Sequence, residues 1–344
     1  MMNEPATDET TSETTMNGAA TQTMTAVVRD AYGGPDVLRL DQIDRPVPGA
    51  GEVLIRVEAS TVQPFEWHNM TGEPWLVRLQ GGLRRPTSPL LGTDVAGTVA
   101  EVGPDVTSVS VGDRVWGFGR GTLAEFAIAG AGTVRALPEE LSFEQGAAIG
   151  VAAITALQAL ERGGATAESS VLVIGASGGV GTHAVQMAAD LGAHVTGVCS
   201  TRNVDLVASL GADEVVDYTT TDLASIERRF DVIVDNQGSL TPAQIKRLLV
   251  DDGRWIIVGG PKSGRVFGPM AHMARGLASF ALSKKSAKPF IASVNTESVA
   301  ALAELVDRGV VEPVIGHRFE LADVADALRL VGDGHARGKV VITV

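Results

Sequence analysis

The chain is 344 residues long, 44% hydrophobic and 20% charged, with a formal net charge of −13. That length exceeds one ordinary core and predicts two domains, while the acidic surface argues against nucleic acid and anionic membranes unless a local basic patch overrides the field. With one cysteine, Cys199, the chain can form no intrachain disulfide and no site built on several thiolates.

Residues 1–22 are rich in Thr and Glu and contain no Lys or Arg. They lack both the basic start and apolar run of a secretory signal and the arginines of a transit peptide. They therefore read as a disordered tail, and the protein as cytoplasmic. No run of 18 uncharged apolar residues occurs, so no membrane span is expected. Patterning begins near Met24. TAVVRDA (25–31), EVLIRVEAS (52–60) and VAGTVAEVG (95–103) are strand-like, punctuated by Gly33-Gly34-Pro35, Pro46-Val47-Pro48-Gly49 and Val111-Gly112-Asp113.

From about Phe143 the rhythm becomes strand–helix alternation. VLVI (171–174) precedes a helix from Gly179 to Leu191, whose Val180, Ala184, Val185, Met187, Ala188 and Leu191 mark one face. Strand patterns HVTGV (194–198), EVVDY (214–218), DVIVD (231–235) and RWIIVGG (254–260) then alternate with helices near 203–210 and 241–250. This rhythm predicts an α/β fold with a doubly wound parallel sheet. The apolar, Met-bearing stretch 267–290 reads as an amphipathic helix, either packed inward, laid over a cleft as a substrate lid, or presented to a second copy or a membrane surface. A helix near 297–308 and the strand KVVITV (339–344) follow.

Gly175-Ala176-Ser177-Gly178-Gly179-Val180-Gly181 lies between a buried-type strand and an amphipathic helix, the context a dinucleotide pyrophosphate requires. Gly178 allows close backbone approach, Gly181 close helix packing, and Ala176 stands in place of the usual first glycine of the G-x-G-x-x-G pattern. About 20 residues on, an NAD site carries Asp or Glu for the ribose 2′-hydroxyl. Here the chain reads Cys199-Ser200-Thr201-Arg202. Hydroxyls beside a guanidinium suit a 2′-phosphate, so NADPH is the expected cofactor.

Other chemistries fall away. The two tyrosines, Tyr32 and Tyr218, have no Lys four residues later, which excludes a short-chain dehydrogenase. No Lys follows the Gly-rich turn as in a P-loop. A zinc alcohol dehydrogenase needs thiolate and imidazole ligands, and the single thiol sits in the cofactor strand.

From about Met24 onward the chain resembles the medium-chain dehydrogenase/reductase superfamily, in its zinc-free quinone oxidoreductase-like branch. The stretches AYGGPDVLRL, PLLGTDVAGTVAEVGPDVTSVSVGDRVWGFG, GAAIGVAAITALQAL, VLVIGASGGVG, LGADEVVDY and HARGKVVITV carry the resemblance. It implies a GroES-like β-rich catalytic domain from residues 23–148 and 290–344, a Rossmann domain over 149–289, and a homodimer. Zinc-dependent relatives carry ligands where this chain has Val62, Thr93-Asp94 and Gly150-Val151, so no metal site is expected. The resemblance implies cofactor contacts at Ser177, Gly178, Gly179 and Val180 for the pyrophosphate. It also implies Ser200, Arg202 and Tyr218 at the 2′-phosphate, Thr155, Gly259 and Gly260 beside the nicotinamide, and Lys339 nearby. Tyr218 and Lys339 read equally as surface packing, and Thr155 as a capping or core hydroxyl.

The segment Val62-Gln63-Pro64-Phe65-Glu66-Trp67-His68 resembles the family segment that lines the substrate cleft, with Gln63 for the usual Asn and Glu66 for Asp. Reduction of an enone or quinone needs a proton or a donor to the carbonyl oxygen. Gln63, Glu66 and His68 are the candidate catalytic residues: Gln63 to orient the carbonyl, Glu66 and His68 to supply the proton. Alternatively, Glu66–His68 is a structural pair and solvent supplies the proton. The expected function is NADPH-dependent reduction of a small-molecule quinone or enone, with no nucleic acid and no stable membrane attachment. The alternatives are an NADP-dependent alcohol dehydrogenase or carbonyl reductase, and a nonenzymatic NADPH-binding protein.

Overall fold

The computed structural model describes residues 22–260, 268–334 and 336–344. Strand β1 (Thr23–Val28) pairs antiparallel with β2 (Arg39–Asp44). Next come β3 (Glu52–Val62), helices α1 (Pro64–Thr71) and α2 (Arg78–Gly81), β4 (Asp94–Val102), β5 (Arg114–Arg120) and β6 (Phe126–Ala136). These strands pair antiparallel in order, and β6 returns to β3, closing the four strands on themselves. Closure removes the edges and gives Val53, Ile55, Val57, Val95, Val99 and Val115 a common interior.

Helix α3 (Phe143–Gly163) connects the two halves, so the expected boundary between 148 and 149 falls inside it. Ser142 accepts a hydrogen bond from the Gln145 N–H at 3.2 Å, and the Gln145 side chain accepts from the Ser142 N–H at 3.0 Å. By length and mean hydropathy α3 could cross a membrane, but 72% of its apolar window is buried and it packs on β3, β4, β5 and β10. It is a core helix.

Through β11 the second half alternates as expected: β7 (Ser170–Ile174), α4 (Gly179–Asp190), β8 (His194–Cys199), α5 (Val204–Ser209), β9 (Glu214–Asp217), β10 (Phe230–Asp235), α6 (Pro242–Leu248) and β11 (Leu249–Ile257). The stretch 267–290, expected as one amphipathic helix, is instead helix α7 (Gly268–Phe280) followed by the short strand β12 (Ser286–Pro289), because its last residues pair with the free edge of β11. All six strands are parallel, ordered β12-β11-β10-β7-β8-β9. Their faces are covered by helices, so they read as continuous apolar runs such as Val171–Ile174, buried throughout. In α7, His272 meets Trp255 edge-on with ring centroids 5.3 Å apart, and Phe280 lies 5.7 Å from the same indole. That face of the helix packs inward.

Helix α8 (Thr296–Asp307), β13 (Ile315–Glu320), α9 (Val324–Asp333) and β14 (Lys339–Thr343) end the chain. β14 pairs antiparallel with β3 and parallel with β13, so the last segment completes the sheet the first half began. The expected tail lies outside the described residues apart from Gln22, whose carbonyl accepts from the Arg45 N–H at 2.8 Å.

Candidate functional site

Strand order in the parallel sheet reverses between β7 and β10, and the crevice at that switch point is where such sheets bind ligands. β7 runs into Gly175, whose φ of +78° favours glycine. Gly178 is the N-cap of α4, and no side chain caps it. The first-turn N–H groups of α4 thus remain available to an anion. A Cβ at Gly181 would run into the Gly175 carbonyl oxygen, so helix and turn can pack this closely only with glycine there.

A cavity of about 440 Å³ follows this turn and is lined in part by Ser177, Gly178, Ser200, Arg202 and Tyr218. Five of the expected cofactor residues therefore share one groove. Gly179 lies under the Lys339 side chain, and Val180 packs against the core. Sequence reasoning missed Asn203, which is buried and donates from Nδ2 to Ser177 Oγ at 3.0 Å and to Ser200 Oγ at 3.2 Å. It links the glycine turn after β7 to the end of β8. The only signal was an amide directly after Arg202, and the sequence reading absorbed it into a helix. Asp222, also missed, lines the same cavity. The Cys199 thiol borders it too, but burial, and then the charge of Asp217, push its pKa up to about 11. It is no nucleophile at neutral pH.

Gly259 and Gly260 follow β11, and the Gly259 N–H donates to the Asp235 carbonyl at 3.1 Å. Thr155 is buried, and its hydroxyl donates to the Val151 carbonyl one turn back at 2.6 Å, the bond of a core hydroxyl.

At the junction of the two halves sits a buried charge cluster that local sequence patterns did not reveal. Asp94 Oδ2 accepts from Lys339 Nζ at 2.9 Å, Thr61 Oγ1 at 2.6 Å and Gln63 Nε2 at 3.2 Å. Its Oδ1 accepts the Val151 N–H at 2.8 Å. That contact exists because α3 is broken at Gly150, with φ 28° and ψ −140°. A Cβ on Gly150 would run into the Asp94 carboxylate. Asp94 therefore caps the second half of α3, where a carboxylate also meets the positive end of the helix dipole. Lys339 is not at the surface. Its ammonium is buried, paired with Asp94, and also donates to Gln63 Oε1 at 2.9 Å. Gln63 thus has its amide orientation fixed, oxygen to ammonium and nitrogen to carboxylate. The preceding Gly338 N–H donates to the Ser177 carbonyl at 2.9 Å, which seats β14 on the glycine turn.

The candidates Glu66 and His68 part company. Two residues apart on α1, they do not share a face. Glu66 is buried, and its Oε2 accepts from the Gln63 N–H at 3.2 Å. Burial, then the neighbouring Asp94 charge, push its pKa up to about 8, against an opposing pull from Lys339. Glu66 is a neutral acid at pH 7. His68 turns to the Glu73 carbonyl, 2.6 Å from its Nδ1, so that nitrogen carries a proton and donates. His183 on α4 reaches the same cluster from the other half. Burial, then the Lys339 charge, bring its pKa down to about 4, and its buried Nδ1 has no partner among the described residues.

The positions of zinc ligands in metal-dependent relatives do converge: Val62 is on β3, Asp94 on β4, and Val151 bonds Asp94. The donor set does not suit zinc, because the single carboxylate is spent on an ammonium, a hydroxyl and an amide. Among the described residues no three His, Cys, Asp or Glu gather in a way that could hold a metal.

Residues 49–196 match the family model "Alcohol dehydrogenase GroES-like domain", and residues 210–342 match "Zinc-binding dehydrogenase". A chloroplast envelope quinone oxidoreductase homologue of Arabidopsis thaliana is 33% identical over 339 residues, covering 93% of this chain and 98% of that protein. The solved quinone oxidoreductase of Coxiella burnetii superposes with a TM-score of 0.82 at 29% identity, covering 94% of this chain and all of that one. A mycobacterial protein solved in complex with NADPH superposes with a TM-score of 0.77 at 26% identity, covering 93% of this chain and 100% of that one. With its β-rich GroES-like half and its Rossmann-like parallel sheet, this chain belongs to the quinone oxidoreductase-like branch of the medium-chain dehydrogenase/reductase superfamily, a family of nicotinamide-dependent oxidoreductases.

Proposed function

We propose that the protein reduces quinones or α,β-unsaturated carbonyls with NADPH, without a metal ion. The observation that carries this reading is the Asp94–Lys339 pair, which takes up the only carboxylate at the positions where zinc-dependent relatives hold their metal. The groove fits the coenzyme: an uncapped helix N-terminus, a glycine contact at Gly181, and Ser177, Ser200 and Arg202 along one wall. When bound, NADPH supplies hydride, and an already polarised alkene or quinone needs no Lewis acid to accept it.

The chain's own residues then have defined tasks. The α4 N–H groups and Ser177 hold the pyrophosphate, Arg202 and Ser200 hold the 2′-phosphate, and Tyr218 flanks it. Gly259, Gly260 and Thr155 border the nicotinamide. Gln63 is the only half-buried member of the charge cluster, and one amide N–H remains beyond its bond to Asp94. Lys339 donates to the carbonyl end of that amide, which strengthens the N–H as a donor to a substrate oxygen. Glu66 keeps the cluster free of a second buried negative charge, and solvent supplies the proton.

Asp222 favours a second reading in which NADH is used, because a carboxylate at the ribose end is the usual partner of a 2′-hydroxyl. Turnover of 1-octen-3-one and a quinone, with each coenzyme and with a chelator present, separates these readings. NADPH-dependent turnover that resists the chelator is expected, with no reduction of a saturated ketone. Arg202→Ala should raise KM for NADPH about ten-fold and leave NADH unaffected. Equal use of NADH by the native protein overturns the coenzyme assignment.

A further inference from the structure

The segment from Trp75 to Arg85 takes no part in the coenzyme groove or the charge cluster. Its large apolar side chains face water: Trp75 is 61% exposed, Leu76 40%, Leu79 67% and Leu83 68%. Trp75 opens a single 3₁₀ turn (Trp75–Val77), Leu79 follows in α2, and Leu83 comes just after the positive-φ Gly82 that ends the helix. Isolated exposed leucines need no explanation, whereas four large apolar groups within nine residues do.

Arginines are set among them. Between Glu73 and Asp94 the chain has no Asp or Glu, but it has Arg78, Arg84 and Arg85, a local positive charge in a protein of net −13. The Arg78 guanidinium lies 5.3 Å from the centre of the Trp75 ring and 4.6 Å from that of Tyr32, and its Nε donates to the Gly72 carbonyl at 3.0 Å. Arg84 and Arg85 are exposed and have no ion-pair partner among the described residues. The acids of the adjoining 30–41 segment are already matched, Asp30 by Arg39 at 2.7 Å and Asp36 by Arg329. The Tyr32 hydroxyl donates to the Gly82 carbonyl at 2.8 Å, which ties the segment to the body of the protein.

An indole and leucines beside unpaired guanidinium groups match the two layers of a lipid headgroup boundary. The apolar groups enter the acyl edge, and the guanidinium groups bind lipid phosphates. We propose that Trp75–Arg85 docks reversibly on an anionic lipid surface. The negative charge of the remaining protein keeps this attachment weak and salt-sensitive, consistent with the absence of stable attachment expected from composition. The proposal does not rest on the identity of the reduced substrate.

Co-sedimentation of the purified protein with phosphatidylcholine vesicles, with and without phosphatidylglycerol, tests it. Binding is expected only to the phosphatidylglycerol vesicles and should fall as salt rises. The double variant Arg84→Glu/Arg85→Glu should weaken it at least about ten-fold. Brominated acyl chains should quench the tryptophan emission of the native protein but not of Trp75→Phe. In both variants unchanged coenzyme affinity reports an intact fold, and Leu83→Ser serves as a further weakened variant should either fail to fold. Equal binding to uncharged vesicles, no binding, or undiminished binding by the charge-reversed variant overturns the proposal. Loss of activity on long-chain quinones without vesicle binding also overturns it and assigns the segment to the substrate mouth.

Discussion

The groove beside the glycine turn and the buried charge cluster adjoin where Lys339 lies over Gly179, and they are built from different materials. The groove starts from backbone, a glycine turn and a helix N-terminus, and adds side chains such as Ser200, Arg202, Asn203 and Tyr218 from the end of the next strand and the loops beyond it. The cluster is side chains: two carboxyl groups, an ammonium and an imidazole withdrawn from water, with the half-buried amide of Gln63 at its rim. A backbone site is specified by a short run of chain. A side-chain site is specified only once distant segments meet, and it stays sensitive to the charge of each member.

The largest expected effect breaks the cluster. Asp94→Ala leaves Lys339 buried and unpaired and strips the cap from the second half of α3, which should cost about 4 kcal/mol in denaturant unfolding. Adding Lys339→Met should recover part of that loss, because the unpaired charge is then gone. If Asp94→Ala is as stable as the native chain, the pair has no structural role.

The next effect is read from pH. Glu66 is protonated in the folded chain up to about pH 8, whereas an unfolded carboxyl ionises near 4.5. The unfolded state therefore binds fewer protons across that window, and the Glu66 contribution to stability is lost as pH rises through it. His183, brought down to about 4 from 6.5, works in the opposite sense, costing stability as pH falls from 6.5 to 4. The two slopes offset each other between 4.5 and 6.5, leaving Glu66 alone above that range. Glu66→Gln should stabilise the protein at pH 8 by on the order of 3 kcal/mol relative to pH 5. Parallel unfolding curves for native and variant protein across this range would show that Glu66 ionises normally.

The smallest effect belongs to the groove. Gly181→Ala forces α4 away from the Gly175 carbonyl and should weaken coenzyme binding about ten-fold in calorimetry, with little change in substrate preference. An undisturbed affinity would mean that the turn yields without moving the ligand.

The same contrast explains what could be read beforehand. Five strands of the parallel sheet, β7 to β11, were legible because each carries an apolar run and alternates with helical pattern, whereas the edge strand β12, Ser-Ala-Lys-Pro, has no apolar run to mark it and reads as helix. Ser177, Gly178, Ser200, Arg202 and Tyr218 lie within 42 positions of one another and fall in one cavity. The catalytic half was harder. β2 is exposed along almost its whole length, so it has no apolar face to mark it, and β6 is interrupted by Gly130 and Gly132. Glu66 and His68 look like a pair in one dimension and diverge on a helix. Lys339 looks like a surface cation, since nothing near it in the chain announces the carboxylate 245 positions away.

The Asp94–Lys339 contact closes a loop of 245 positions, so it is a long-range contact whose closure entropy must be offset by the burial around it. Because β14 reaches β3 only through that closure, the buried ion pair reports whether the two ends of the β-rich half have met.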